Sequence, residues 1–101
     1  MTAPAPLPIE IPAWKIRDRD IGGEQHVYRF GNGYGASVVR GPYTYGGPAG
    51  LFELGVIVFD GDEWDITYDT PITSDVEGHL GISEVAEMLV RIAALPAAST
   101  S

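Results

Sequence analysis

The sequence predicts an α+β fold: about four antiparallel strands, with one C-terminal helix packed on one face and an extended Pro-rich N-terminal arm. Three observations predict it. Two β-rich runs, "HVYRF" and "YGASVVR", flank an Asn-Gly pair, the strongest short-range hairpin signal. An apolar run, "LFELGVIVF", turns at "DGD" into the strictly alternating "WDITYD". The final stretch, "ISEVAEMLVRIAALP", repeats its aliphatic residues at helical spacing. A sheet and a helix, each apolar on one side, bury both surfaces most economically against each other.

The elements follow in order. Four of the first dozen residues are proline, so residues 1–13 are expected to form an extended, polyproline-like arm, packed through Ile9, Ile11 and Trp14 or loose. "KIRDRDIGG" interleaves opposite charges before a double glycine and reads as an exposed edge strand or loop. In the hairpin, Asn32 and Gly33 tolerate the positive φ that a tight primed turn demands. Gly35, inside a strand, suggests a bulge or a close backbone approach. "GPYTYGGPAG" has no alternation and many breakers, and reads as a loop of about ten residues, longer than the usual median. Residues 51–59 read as the most buried strand, because only Glu53 interrupts their apolar character. Asp60-Gly61 is the expected corner. In the next strand Trp64, Ile66 and Tyr68 face one way, and Trp64 and Tyr68 are expected under the helix. Pro71 breaks that strand, and Ser74 with Glu77 and Gly78 has the spacing of a capped helical turn. In the last helix Ser83 is the expected N-cap, with Glu84 and Glu87 near the positive end of the dipole. Val85, Leu89, Ile92 and Ala93 or Leu95 form its core stripe, Arg91 lies near its end, and Pro96 stops it. Residues 14–96 are thus expected to be one domain, and residues 97–101 a disordered tail.

Composition narrows the function. The 101 residues contain no cysteine and are 45% hydrophobic, which excludes a disulfide scaffold or a thiolate metal site. No apolar run approaches the roughly 18 residues that span a bilayer, and the N-terminus lacks the basic and apolar regions of a secretory signal. The net charge is −8. Residues 1–41 carry five bases and four acids, whereas residues 42–101 carry ten acids and Arg91 alone. Such a C-terminal part repels phosphate backbones and acidic lipid headgroups, so neither nucleic acid nor membrane is an expected partner. A basic protein surface is the natural complement, although negative charge also serves plain solubility.

Catalytic and ligand motifs are weak. The glycine-rich stretch is not a P-loop, because no lysine follows residue 15. "GNGYGASVV" is only superficially like a base-stacking RNA-binding segment. His26 and His79 have no partner at metal-ligand spacing, and "DGDEWD" lacks the spacing of a calcium loop. Ser74 or Ser83 with His79 and Asp75 would be needed for a small hydrolase, with nothing to make an oxyanion hole. No cofactor and no catalytic residue is expected.

Two binding readings remain. In the first, the loop tyrosines Tyr43 and Tyr45 form a protein-binding patch with Arg40, tyrosine being a frequent hot-spot residue; both rings folding back onto the sheet as core is the bland alternative. In the second, Asp60, Asp62, Glu63, Asp65, Asp69, Asp75 and Glu77 present phosphate-like charge, making the chain an acidic nucleic-acid mimic or inhibitor of a defence or nucleic-acid-processing protein. An exposed edge strand leaves homodimer pairing open.

The segments "NGYGASVV", "YTYGG", "LFELGVIVF" and "YDTPITSDVEG", followed by the acidic helix ending "IAALP", resemble a family of small uncharacterised proteins of tailed bacteriophages, notably those of actinobacteria. The likeness covers roughly residues 28–96. It implies a non-enzymatic phage accessory protein acting in the cytoplasm of the infected bacterium on a host or phage protein, and it supplies no catalytic residue.

Overall fold

A computed structural model of the chain describes residues 5–18, 23–41, 50–72 and 76–98. The fold is α+β: an antiparallel sheet curled into a half-barrel, with one helix near the C-terminus. The strands are β1 (Lys15–Asp18), β2 (Glu24–Arg29), β3 (Tyr34–Arg40), β4 (Phe52–Asp60), β5 (Glu63–Ile66) and β6 (Glu77–Leu80), and the helix is α1 (Ile82–Ala93). They are ordered β1-β2-β3-β4-β5, with β6 also paired to β4.

Among the described residues, six strands replace the four expected. The charged segment after the arm is an edge strand, β1, in register with β2 from Lys15–Val27 to Asp18–Glu24. The sixth strand corrects a misreading. Glu77, expected to share a capping box with Ser74 in a helical turn closed by Gly78, instead opens β6; residues 73–75 lie outside the described residues. The reason is non-local. β4 is nine residues long, and β5 covers its edge only from Ile57 to Asp60. The N–H and C=O groups near Phe52 and Leu54 would otherwise lack partners, and β6 pairs there, through Phe52–Leu80 and Leu54–Glu77, with a register shift between them. His79 takes φ 59° within this strand.

Because β6 holds Leu80 against Phe52, one residue remains before the helix. Gly81 is therefore the N-cap, not Ser83, and its N–H donates to Glu84 Oε1 at 3.1 Å. α1 buries Val85, Met88, Leu89 and Ile92, as its spacing predicts. They pack on Tyr28, Ala36, Val38, Leu54 and Val56, with Leu7 of the N-terminal segment also buried and Ile9, Ile11 and Ala13 against the same core.

Alternation places Val27, Gly35, Ser37, Gly55 and Ile57 on the opposite face of the sheet, and they are buried too. Gly35 is a close approach: a Cβ there would lie 1.9 Å from Tyr28 O and 2.9 Å from the Phe59 ring. Trp64 and Tyr68 are not under the helix. α1 packs on β3 and β4; Trp64 pairs with Phe59 on the face away from it, and β5 ends at Ile66, leaving Tyr68 52% exposed.

Two turns position the surface. Between β2 and β3, Gly33 N–H donates to Phe30 O at 3.2 Å and Phe30 N–H to Tyr34 O at 2.9 Å. Gly33 alone takes positive φ, +87°. This is a type I turn followed by a left-handed glycine, so the hairpin forms where expected, but without positive φ at Asn32. Between β4 and β5, Asp60 pairs with Glu63, and Gly61 takes φ +62°.

Candidate binding surfaces

Arg40 ends β3 opposite Glu24. Its Nε donates to Glu24 Oε1 at 2.8 Å, its Nη2 contacts the same oxygen, and its Nη1 donates to Gly50 O at 3.3 Å. The guanidinium also lies 4.4 Å over the Phe52 ring. Arg40 thus joins the end of β3 to Gly50, two residues before β4, and to Phe52 at the start of β4. Tyr43 and Tyr45, grouped with it from the sequence, lie outside the described residues.

Under this pair sits His26, fully buried. Its Nε2 is 3.4 Å from Glu24 Oε2, and neither ring nitrogen has a well-formed hydrogen bond. Burial pushes its pKa below the usual 6.5; Glu24 opposes that shift, and the Arg40 charge adds to it. A histidine closed from solvent therefore lies beside a carboxylate that is partly exposed and already paired with Arg40. His79, exposed on β6, is separated from it by β4 and β3. Ser74 and Asp75 lie outside the described residues. Among the described residues no group of three His, Asp or Glu side chains is arranged to hold a metal.

The acidic residues separate into distinct places. Asp62 is not free: it bonds Arg29 Nη1 at 2.9 Å, while Arg29 Nη2 donates to Gly61 O at 2.6 Å. Arg29 in turn stacks 4.4 Å over Phe59 and 5.3 Å over Trp14, whose rings meet edge to face. Asp60, Glu63 and Asp65 are different. Asp60 pairs with Glu63, and Asp65 with Val58, so alternation sets all three on the helix-side face. Each is exposed. Asp69 is exposed past the end of β5, its N–H bonded to Thr67 Oγ1 at 3.3 Å. Glu77, exposed, sits opposite Leu54. Asp60 lies six positions along β4 from Leu54, or about 20 Å of strand. Asp75 lies outside the described residues. The structure therefore brings three of the seven acids together, neutralises one and leaves Asp69 and Glu77 apart.

The described bases are mostly engaged. Besides Arg29 and Arg40, Lys15 stacks 4.6 Å over Trp14, and Arg17 Nε donates to Gln25 Oε1, whose amide donates to the buried Ser37 Oγ at 2.8 Å. Sequence reasoning missed these contacts because each depends on strand register. It placed Asn32 in the turn but missed its second role: Nδ2 donates to Ile92 O at 2.9 Å and Leu95 O at 3.0 Å, capping the end of α1.

No protein-family model matches the chain, and no curated protein or solved structure matches it. Among the described residues, no helix is long and apolar enough to cross a membrane.

Proposed function

We propose that the chain is a non-enzymatic protein-binding module that offers the acidic β4–β5 hairpin to a basic surface of a protein partner. One observation carries this reading: Asp60, Glu63 and Asp65 share an exposed face, while Arg29, whose guanidinium reaches the turn, is committed to Asp62 and Gly61. Uncompensated carboxylates on a rigid two-stranded element steer and orient a cationic partner. In the same reading Tyr43 and Tyr45 supply aromatic contacts to the partner together with Arg40. In this reading the protein is a phage accessory protein, as the sequence resemblance implies, acting on a host or phage protein in the cytoplasm of the infected bacterium. Mimicry of nucleic acid is the narrower form of the proposal, in which the partner surface is a phosphate-binding groove.

The test is affinity capture from host lysate, with the wild type and an Asp60→Lys/Glu63→Lys/Asp65→Lys variant as baits. Capture lost in a variant of native melting temperature supports the acidic contact. Equal capture by both baits overturns it. A salt titration with the identified partner then separates the forms: steep weakening supports mimicry, and a flat response supports the aromatic contact.

A further inference from the structure

A second surface lies away from the acidic hairpin. Pro8, Ile9, Glu10 and Ile11 run beside α1, and between them and Ile82, Ser83, Ala86 and Val90 is an open groove of about 420 Å3. Its helix wall follows from periodicity. Ile82, Ala86 and Val90 recur every four residues, forming a stripe beside the core stripe of Val85, Leu89 and Ile92. Val90 is 59% exposed, although its neighbour Leu89 is fully buried. Ile9, Ile11 and Ile82 are half-buried against the core, and Val90 continues the stripe into solvent, so folding leaves part of this apolar surface uncovered.

The groove's charge restricts its occupant. Glu10 is part of its lining. Glu87, four residues after Ser83, stands at its outer helix rim and is exposed. Arg91, one turn after Glu87, and Glu84 lie farther round the helix, on the side away from the groove. The lip is therefore acidic on both sides. An anionic lipid surface fits poorly, and so does a second copy related by a two-fold axis, which would set Glu10 and Glu87 of both copies against each other. The shape is a trough rather than an enclosed cavity, and its described polar lining is limited to Glu10 and Ser83. A small molecule, which such sites normally enclose over most of its surface, is a poorer fit than an extended side of a peptide.

We propose that this groove seats a short amphipathic segment of a partner protein, its aliphatic side chains on Ile9, Ile11, Ala86 and Val90 and its lysines or arginines at Glu10 and Glu87. The proposal rests on reading the chain as a protein-binding module, and it adds a contact independent of the acidic hairpin. Helix-in-groove recognition reads such stripes through anchors spaced one helical turn apart.

The test uses the full chain, isotope-labelled for amide NMR, and a synthetic amphipathic helix built only of leucine and lysine as probe. A counterpart with glutamate for lysine is the control. Shifts centred on Ile9, Ile11, Ile82, Ala86 and Val90 with the lysine peptide, and none with the glutamate peptide, are expected. Val90→Lys should weaken the lysine peptide at least about tenfold, and its exposure means that the melting temperature should not change. The double change Glu10→Gln/Glu87→Gln, which leaves the apolar floor intact, should weaken it and flatten its salt dependence. Equal binding of both peptides overturns the charge assignment. Shifts confined to Asp60, Glu63 and Asp65 overturn the groove while leaving the binding-module reading standing. Groove shifts that depend on protein concentration rather than peptide assign it to a second copy and overturn the proposal. Absence of any shift overturns the groove alone, since capture by the acidic hairpin is measured with separate variants.

Discussion

The two tight hairpins both turn on an Asx-Gly pair, through different turn geometries, and put their tips to opposite uses. The β2–β3 turn carries Asn32-Gly33 and the β4–β5 turn Asp60-Gly61, and in each the glycine takes the positive φ, +87° and +62°. Yet the first tip is built into the molecule. Asn32 Nδ2 caps the carbonyls of Ile92 and Leu95, its Oδ1 accepts from Tyr34 N–H at 3.0 Å, and its own carbonyl accepts from Ala98 N–H at 2.7 Å. The second tip stands in solvent, and its Asp62 side chain is 87% exposed. A turn motif specifies how the chain reverses. What surrounds the tip decides whether its polar side chain becomes a structural cap or a charged surface.

The contrast is broken most forcefully by removing what the first hairpin leans on. Leu89 is fully buried between α1 and the sheet. Leu89→Ala should cost about 2–5 kcal/mol in chemical denaturation, from lost burial plus the cavity left behind. A loss below about half a kcal/mol would mean that the helix contributes little to the sheet's stability.

Asn32→Ala tests the cap directly. It removes the donor that serves two helix-end carbonyls and the acceptor for Tyr34 N–H, partly buried groups whose loss costs about 1–3 kcal/mol. Hydrogen exchange should speed selectively in the last turn of α1. If stability falls by no more than for a surface substitution, water replaces the cap without penalty, and the two hairpins are alike after all.

The wide end of the same β2–β3 pair adds a pH test. His26 lies beside the Glu24–Arg40 pair, with its pKa held below 6.5 mainly by burial. The unfolded chain then binds a proton in a range where the folded chain does not. Stability from this group is therefore complete above about pH 6.5 and is lost as pH falls through that value toward the lower folded pKa. Besides Glu24 and Arg40, the strand places Tyr28 on the same face, and β1 brings Asp18 opposite Glu24. Tyr28 has its pKa raised to about 12 by burial, so it is not charged in this window. His26→Leu should flatten the stability profile just below pH 6.5. An unchanged slope would assign the dependence elsewhere.

How much of this was legible in the chain divides along the same lines. β2 to β5 and α1 could be read locally, because alternation, helical spacing and Asx-Gly turns are short-range signals. β6 could not, since its cause is the edge of β4 that β5 leaves uncovered, and a plausible capping box at Ser74 pointed the other way. The Gly81 cap follows from that strand and was missed with it. For the acidic surface, alternation around Trp64 and Ile66 placed Asp65 on a polar face. That Asp60 and Glu63 join it, while Asp62 turns to Arg29, depends on the two-residue turn and on a cross-sheet contact over 33 positions. The Glu24–His26–Arg40 group, the Asn32 cap and the apolar groove need register or tertiary placement, which no local pattern encodes.

The smallest effect sharpens the comparison most. Asp62 occupies a tip position like Asn32 and also makes a hydrogen bond, to Arg29 Nη1. Its side chain is largely in solvent, so water and salt screen the pair and compete for both partners. Arg29 also keeps its bond to Gly61 O and its stacking on Phe59 when the carboxylate is gone. Asp62→Ala should therefore change stability by about 0.5 kcal/mol or less, and that change should vanish at high salt. The consequence for binding is larger than for folding. With Asp62 removed, the Arg29 charge is no longer matched at the turn, and the net negative potential beside Asp60, Glu63 and Asp65 falls. A basic partner bound through that face should dissociate faster and depend less on salt. If Asp62→Ala destabilises the fold as much as Asn32→Ala does, the second tip is as structural as the first, and the acidic hairpin loses its claim to be a surface held in reserve for a partner.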